Sequence, residues 1–318
     1  MGQRIGYIDN AKGILILLMV VGHVLLDDVL PAVTEWIYVF HMPAFFIING
    51  MLFHSSKTLS KPLGAVLFQY IYTILIPLAF SEVVGALHYI VRYGFTQSIF
   101  GFVYNTLHYH FNNGPDWFFA VLFVADMLFV LIQKVFNKKS KRKLLSACIL
   151  LIAFMLPEEL FILRSIGISF GCICIGYYFY NMFTRNKSVA VTIGIFIATW
   201  GVLYINGSVS LNVARVNNPF LWILGAVCGT VLMIQLGKQV PEGWITYLGK
   251  NSIIVMITHQ AILLPLRYYT RVAEFDFLTA IVVLVLTVVL QFPLIYLINR
   301  YLPFCVGRKM ECVKWRKA

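Results

Sequence analysis

"GILILLMVVGHVLL", residues 13–26, is an apolar run broken by a single histidine, and its reading decides the fold. A helix needs roughly 20 mostly apolar residues to cross the hydrocarbon of a bilayer. Extended to residue 30, this run is long enough, and Arg4 and Lys12 precede it. A basic start before an apolar run also opens a cleaved signal, but no A-x-A-like site follows and further spans come at once. The segment therefore reads as a retained first crossing.

Working outward, similar runs recur along the whole chain. Approximate spans fall at 13–30, 36–53, 64–84, 117–134, 144–160, 163–182, 188–206, 218–236, 249–266 and 277–299. That makes about ten transmembrane helices in one integral-membrane domain, residues 1–318, with a short tail from about residue 300. Composition agrees, with 60% apolar and only 12% charged residues, where soluble domains average about 25% charged. The expected fold class is all-α and polytopic, with no length left for a sizeable soluble domain. The six cysteines (Cys148, Cys172, Cys174, Cys228, Cys305 and Cys312) lie in spans or the tail. Free thiols are expected there, not a disulfide framework.

Charge sets the orientation. With the N-terminus inside, the cytoplasmic pieces hold Lys12, Lys57, Lys61, the run "KVFNKKSKRK" (134–143), Lys238, Lys250 and the C-terminal tail. Of the 25 Lys and Arg, the outside keeps only Arg92, Arg164, Arg215, Arg267 and Arg271. The reverse orientation would invert the usual bias, so both termini are placed in the cytoplasm. The net charge of +12 is then topological, with some attraction to anionic lipid, and nucleic acid is not an expected partner. The exterior connector 85–116 is long and rich in aromatics, and includes "LHYHFNNGPDW" (107–117). Its H-x-H pair, His108 and His110, lacks the further ligands a metal site needs, so no metal is expected.

Ionisable groups inside spans are costly in lipid and normally face a cavity or a partner. His23 follows Lys12 by about 16 Å along a helix, close to three turns. Asp9, Lys12 and His23 share one face if the helix starts early, which puts His23 near mid-membrane above Lys12. The second span contains "YVFHMPAFFIING", residues 38–50, where His41, Pro43 and Asn49 interrupt an otherwise greasy helix. Pro43 removes a backbone hydrogen bond and is expected to kink the helix, so that freed carbonyls, His41 and Asn49 line one cavity. Asp126 and His259 are central in their spans, and Ser252 lies nearly on the face of His259, seven residues before it. Each also has a structural reading, as a hydrogen-bonded packing residue or as a partner for a polar group on a neighbouring helix.

With these residues placed, the chain resembles acyltransferase family 3, the multi-span bacterial acyltransferases, in its fucose 4-O-acetylase-like branch. "YIDNAKGILILLMVVGH" (7–23) resembles the family's opening, which carries an Asp, a basic residue and a His. "FHMPAFFIING" (40–50) resembles its F-H-M-P-x-F-F-x-x-S-G signature, "DWFFAVLF" (116–123) its W-F-L motif, and "YLGKNSIIVMITHQ" (247–260) its G-x-x-S…H segment. The resemblance implies a bacterial inner-membrane enzyme that moves an acyl group, commonly acetyl, from cytoplasmic acyl-CoA to a hydroxyl of an envelope carbohydrate or lipid-linked sugar. It maps the family's basic–His pair onto Lys12 and His23, and the second-span motif onto His41, Met42 and Pro43. The chain departs in three places. Lys12 stands where many relatives have Arg, which removes a bidentate phosphate contact. "KPLGAVLFQYIYTILIP" (61–77) offers Lys61 alone where some relatives carry R-x-x-x-R, leaving Lys57, Lys61 and the 134–143 cluster as substitutes. The signature serine is Asn49.

Acyl transfer to an alcohol requires removal of a proton and stabilisation of an oxyanion. Histidine suits the first task because its ordinary pKa lies near working pH. His23 is therefore expected to act as general base or acyl carrier, with His41 and Asp9 completing the catalytic set. Lys12, Lys57 and Lys61 would hold acetyl-CoA; Trp117, Asp116, Asn49, His259 and Ser252 would face the acceptor. Direct transfer and an acyl-histidine intermediate both fit. A different reading also stays open, a transporter or flippase with His23 and Asp126 as a proton relay. No internal repeat of the kind carriers often show is found.

Overall fold

Backbone amides cannot hydrogen-bond to lipid, so an apolar chain in a bilayer satisfies them within helices. The computed structural model describes residues 6–24, 29–95, 101, 116–270 and 277–308, and it is a bundle of helices. In order these are α1 (Gly6–Val24), α2 (Pro31–Ser55), α3 (Leu63–Tyr70), α4 (Ile76–Tyr93), α5 (Asp116–Val135) and α6 (Lys139–Met155). They continue as α7 (Phe161–Tyr178), α8 (Val189–Asn206), α9 (Pro219–Gln239), the short α10 (Trp244–Lys250), α11 (Ser252–Thr270) and α12 (Phe277–Tyr301). Among the described residues eight helices are long and apolar enough to cross a membrane. The protein is an all-α polytopic membrane protein. Two of the ten stretches read from the sequence are weaker: α6 opens on the basic "KSKRK", and the apolar part of α11 is short. The five cysteines among the described residues are free thiols.

Local chemistry explains the element ends. Pro31 opens α2 and Pro219 opens α9, positions where a missing N–H costs nothing. Asn218 caps α9, its side-chain oxygen accepting from the N–H groups of Phe220 and Leu221 at 3.0 and 3.2 Å. Pro77 cannot donate to the carbonyl of Thr73, and the turn before it, Ile71–Leu75, widens to π geometry between α3 and α4. Pro43 behaves differently, because α2 runs as one helix through it from Pro31 to Ser55.

α2 is the hub of the bundle. It packs against α1, α7, α8 and α9, and 83% of its membrane-length window is buried inside the protein. Where it crosses α7 the two backbones touch. A Cβ on Gly50 would stand 2.0 Å from the Ile173 carbonyl oxygen, and one on Gly176 would stand 1.9 Å from that of Ile47. Small residues at such crossings replace the hydrophobic drive that lipid cannot supply.

One end of the bundle is basic. Asn10 donates to the carbonyls of Gly237 and Val240 at 2.9 and 2.7 Å, and Thr246 donates to Asn10 Oδ1 at 2.5 Å, tying α1 to α9 and α10. At this same end Lys238 Nζ donates to Thr184 O and Asn186 Oδ1, and Arg308 Nη2 to Lys250 O at 2.7 Å. The start of α3 and the end of α5 are joined by Lys134, whose ammonium donates to the carbonyls of Leu59 and Lys61.

The early start that puts Asp9, Lys12 and His23 on one helix is seen. The described α1 is helical from Gly6, ahead of the apolar run at residue 13, where α9 and α10 receive the polar side chain of Asn10. His23 lies in the last turn of the described α1.

Candidate active site

Four elements converge at the end opposite the basic one. α1 brings Met19 and His23, one turn apart. α2 brings Tyr38, His41 and Met42, and α11 brings Met256 and Gln260, again at i and i+4. Trp117 from the start of α5 and Ser210, Leu211 and Asn212 from the α8–α9 connection close the outer side. Together they enclose a cavity of ≈ 360 Å³, at the lower end of the size range of small-molecule sites.

Two imidazoles, His23 and His41, line it, and a third, His259, is fully buried against His23 and is not among the lining residues. The His23 ring stacks on His259 with centroids 5.2 Å apart and planes inclined by 27°. Tyr38 stands edge-on to His23 at 6.4 Å and stacks on His41 at 5.0 Å. His41 Nδ1 lies 3.0 Å from the Ile37 carbonyl, and His259 Nδ1 lies 3.0 and 2.8 Å from those of Val255 and Met256. A carbonyl only accepts, so in both rings Nδ1 carries the hydrogen and a neutral ring keeps its lone pair on Nε2. His259 Nε2 is buried with no hydrogen-bond partner. His23 differs from both. It is half-buried, lines the cavity, and no hydrogen bond to either ring nitrogen is seen among the described residues. Its backbone is fixed from outside instead, where Arg267 Nη1 donates to the His23 carbonyl at 3.2 Å. A cation at this position also suits the carbonyl end of a helix.

The other residues read from the sequence lie elsewhere. Asp9 pairs with Lys12 at 3.0 Å, about three turns below His23, and neither lines the cavity. Lys57 and Lys61 sit on the α2–α3 connection, with Lys61 Nζ donating to Gln69 Oε1 at 2.7 Å. Ser252 opens α11 at the basic end, beside Asn251, which accepts from Asn299 at 2.9 Å. Asp116 adjoins Trp117 but is fully buried beside Ser81 and Glu82 of α4. His108 and His110 fall outside the described residues.

Asn49 and Asp126 meet each other. Asn49 Nδ2 donates to Asp126 Oδ1 at 2.5 Å, joining α2 to α5, and neither lines the cavity. Asn49 thus holds a buried carboxyl, and this placement does not favour a relay through His23 and Asp126. Replacing Asn49 by Leu leaves that carboxyl without its donor. The variant is expected to lose about 1–3 kcal/mol of stability, and Asn49→Leu/Asp126→Leu to recover most of it, both read as thermal midpoints in detergent.

Sequence reading missed several lining residues. Tyr38 was legible, because it stands three residues before His41 on the same helical face, and Gln260 adjoins His259. Ser210–Asn212 carry no signal of their own, since a loop reaches a cavity through tertiary folding.

A cavity lined by two histidines at one end of a helical bundle of membrane-spanning length defines a polytopic membrane protein with a chemically equipped site. The family model described as an acyltransferase domain matches residues 5–300. The chain belongs to acyltransferase family 3 and is a membrane acyltransferase. Neither curated proteins nor solved structures gave a match.

Proposed function

We propose that this protein transfers an acyl group, most simply acetyl, from cytoplasmic acyl-CoA to a hydroxyl of an envelope carbohydrate or lipid-linked sugar that enters from outside. In this reading it is an enzyme of the bacterial inner membrane, of the fucose 4-O-acetylase-like branch. The observation that carries the proposal is His23, an imidazole with no partner on its ring nitrogens among the described residues, lining a cavity at the end of the bundle opposite the basic one, in a chain of this family.

The chemistry divides among the residues present. The acceptor hydroxyl gives its proton to His23 as its oxygen attacks the thioester carbonyl. The tetrahedral oxyanion takes a hydrogen bond from the Gln260 amide. The C–S bond then breaks, and the leaving thiolate of CoA takes the proton. His41, with Nδ1 committed to Ile37, offers Nε2 to a second sugar hydroxyl. The donor's charged nucleotide stays at the cytoplasmic end near Lys12, with Lys57 and Lys61 adding positive charge, and its extended pantetheine arm climbs the three turns to His23. Because Lys12 is already paired with Asp9, a donor phosphate competes with that carboxylate.

Trp117 at the cavity mouth stacks on the acceptor. Trp117→Ala is expected to raise the acceptor KM about tenfold, the loss of one good aromatic contact, with a smaller change in kcat. The experiment uses membranes containing the protein, labelled acetyl-CoA and envelope glycan. Label appearing in the glycan supports the reading; movement of sugar across the membrane without label transfer would overturn it.

A further inference from the structure

A second recess lies on the outer face beside the catalytic cavity. It is a pocket of ≈ 420 Å³ lined by Glu158, Phe161, Asn212, Val213 and Arg215. Asn212 lines both spaces. The two are therefore neighbours across a single residue of the α8–α9 connection.

That connection is built as a rigid plate. Ser210 and Arg215 exchange both backbone hydrogen bonds, at 2.9 and 2.8 Å. Ser165 Oγ donates to the Leu211 carbonyl at 2.9 Å, anchoring the plate to α7. Asn217 Nδ2 donates to the carbonyls of Asn206 and Ser208 at 2.7 and 2.9 Å. Ala214 and Asn217 take positive φ, 54° and 51°, a conformation held only where surrounding bonds over-determine it. On the opposite wall Arg164, itself buried, lies 3.7 Å from the largely exposed Glu158 carboxylate, which lines the pocket. The recess thus combines a carboxylate, a guanidinium, an amide and the Phe161 ring on a hydrogen-bonded connection and the start of α7. A pair of acceptor oxygens opposite forked donors suits vicinal hydroxyls, and an aromatic face suits the apolar side of a pyranose.

We infer that this recess is a second acceptor subsite, so that the enzyme recognises a glycan of at least two sugar units, with the acylated sugar in the catalytic cavity and its neighbour against Arg215, Glu158 and Phe161. The inference rests on the acyl transfer to a carbohydrate proposed above. The physical consequence is that transfer depends on acceptor length. A monosaccharide fills only the ≈ 360 Å³ cavity; a longer acceptor gains contacts beyond Asn212 that position its reacting hydroxyl.

The test uses the full-length protein in membranes, labelled acetyl-CoA, and envelope glycan fragments cut by mild acid and separated into mono-, di- and trisaccharide fractions. The wild-type protein is expected to use the disaccharide fraction about tenfold more efficiently than the monosaccharide, as kcat/KM. Arg215→Ala keeps the backbone pair with Ser210, and Phe161→Ala removes only the ring. Each is expected to erase most of the length preference while leaving monosaccharide transfer unchanged, which also shows that the variant is folded. Equal use of all lengths by the wild-type protein overturns the subsite and leaves the acyltransferase reading standing. A uniform loss on every length in the variants does the same. Absence of transfer to any fraction overturns the underlying reading and the subsite with it.

Discussion

His23→Ala is expected to lower acyl transfer by about 10²–10⁴-fold, the contribution of one positioned general base, while the protein inserts and melts like the wild type. Three features lead to this number. The ring borders the cavity, its nitrogens are not used by the protein among the described residues, and its backbone is pinned by Arg267. His23→Gln keeps a hydrogen-bonding side chain but cannot accept a proton near neutral pH, so it is expected to be as inactive as the alanine variant. Removal of His259 is expected to cost less, about 10²-fold, because the ring stacked on His23 orients the base without touching the reacting atoms. That loss is expected in kcat more than in KM. The assay is label transfer from acetyl-CoA per unit of folded protein. Full activity in a well-inserted His23→Ala variant would remove the base from the mechanism, and equal losses for His23 and His259 with altered melting would reduce both to packing.

The helical fold and its approximate crossings were legible because apolar length is all that a bilayer demands of a span. The polar start of the first helix was not. The first helix begins among Asp9, Asn10 and Lys12, residues that single-sequence hydropathy places in water. They become helical because Gly237, Val240 and Thr246 satisfy Asn10, and Lys12 satisfies Asp9. A partner more than 200 positions away in the chain leaves no trace in the local pattern, so the polar opening of this helix cannot be read from hydropathy alone.

The site was legible in part for a related reason. His23, His41 and His259 announce themselves as imidazoles in lipid, and Trp117 as an aromatic at a span start. Whether a polar residue faces a cavity or a neighbour depends on rotation about the helix axis. Asn49 and Asp126 look no different in sequence from His41 and His259, yet they face each other across α2 and α5. Ser210–Asn212 are invisible for the opposite reason, being ordinary loop residues brought to the cavity by the anchoring of one connection on α7.

Gly50→Leu is expected to abolish the folded protein, and the reason lies in how α2 meets α7. At Gly50 the nearest atom to an added Cβ is a backbone oxygen at 2.0 Å, with the Ile173 carbonyl carbon at 2.8 Å. No rotamer relieves that contact, because the obstruction begins at Cβ and its partner is main chain. The two helices must separate, and Gly176 repeats the constraint from the other side at 1.9 Å. Separation breaks the packing of the most buried helix and tilts the element that carries Tyr38 and His41 into the cavity. A cost above roughly 3 kcal/mol is expected, read as loss of monodisperse protein after detergent extraction and rapid proteolysis in membranes. Gly194→Leu is the matched control. It sits in α8 with nothing within 4 Å of an added Cβ, and Leu is a better residue than Gly for a helix and for lipid. That variant is expected to extract and melt at least as well as the wild type. If Gly50→Leu behaved like Gly194→Leu, the backbone contact between α2 and α7 would not exist, and the placement of His41 beside His23 would lose its support.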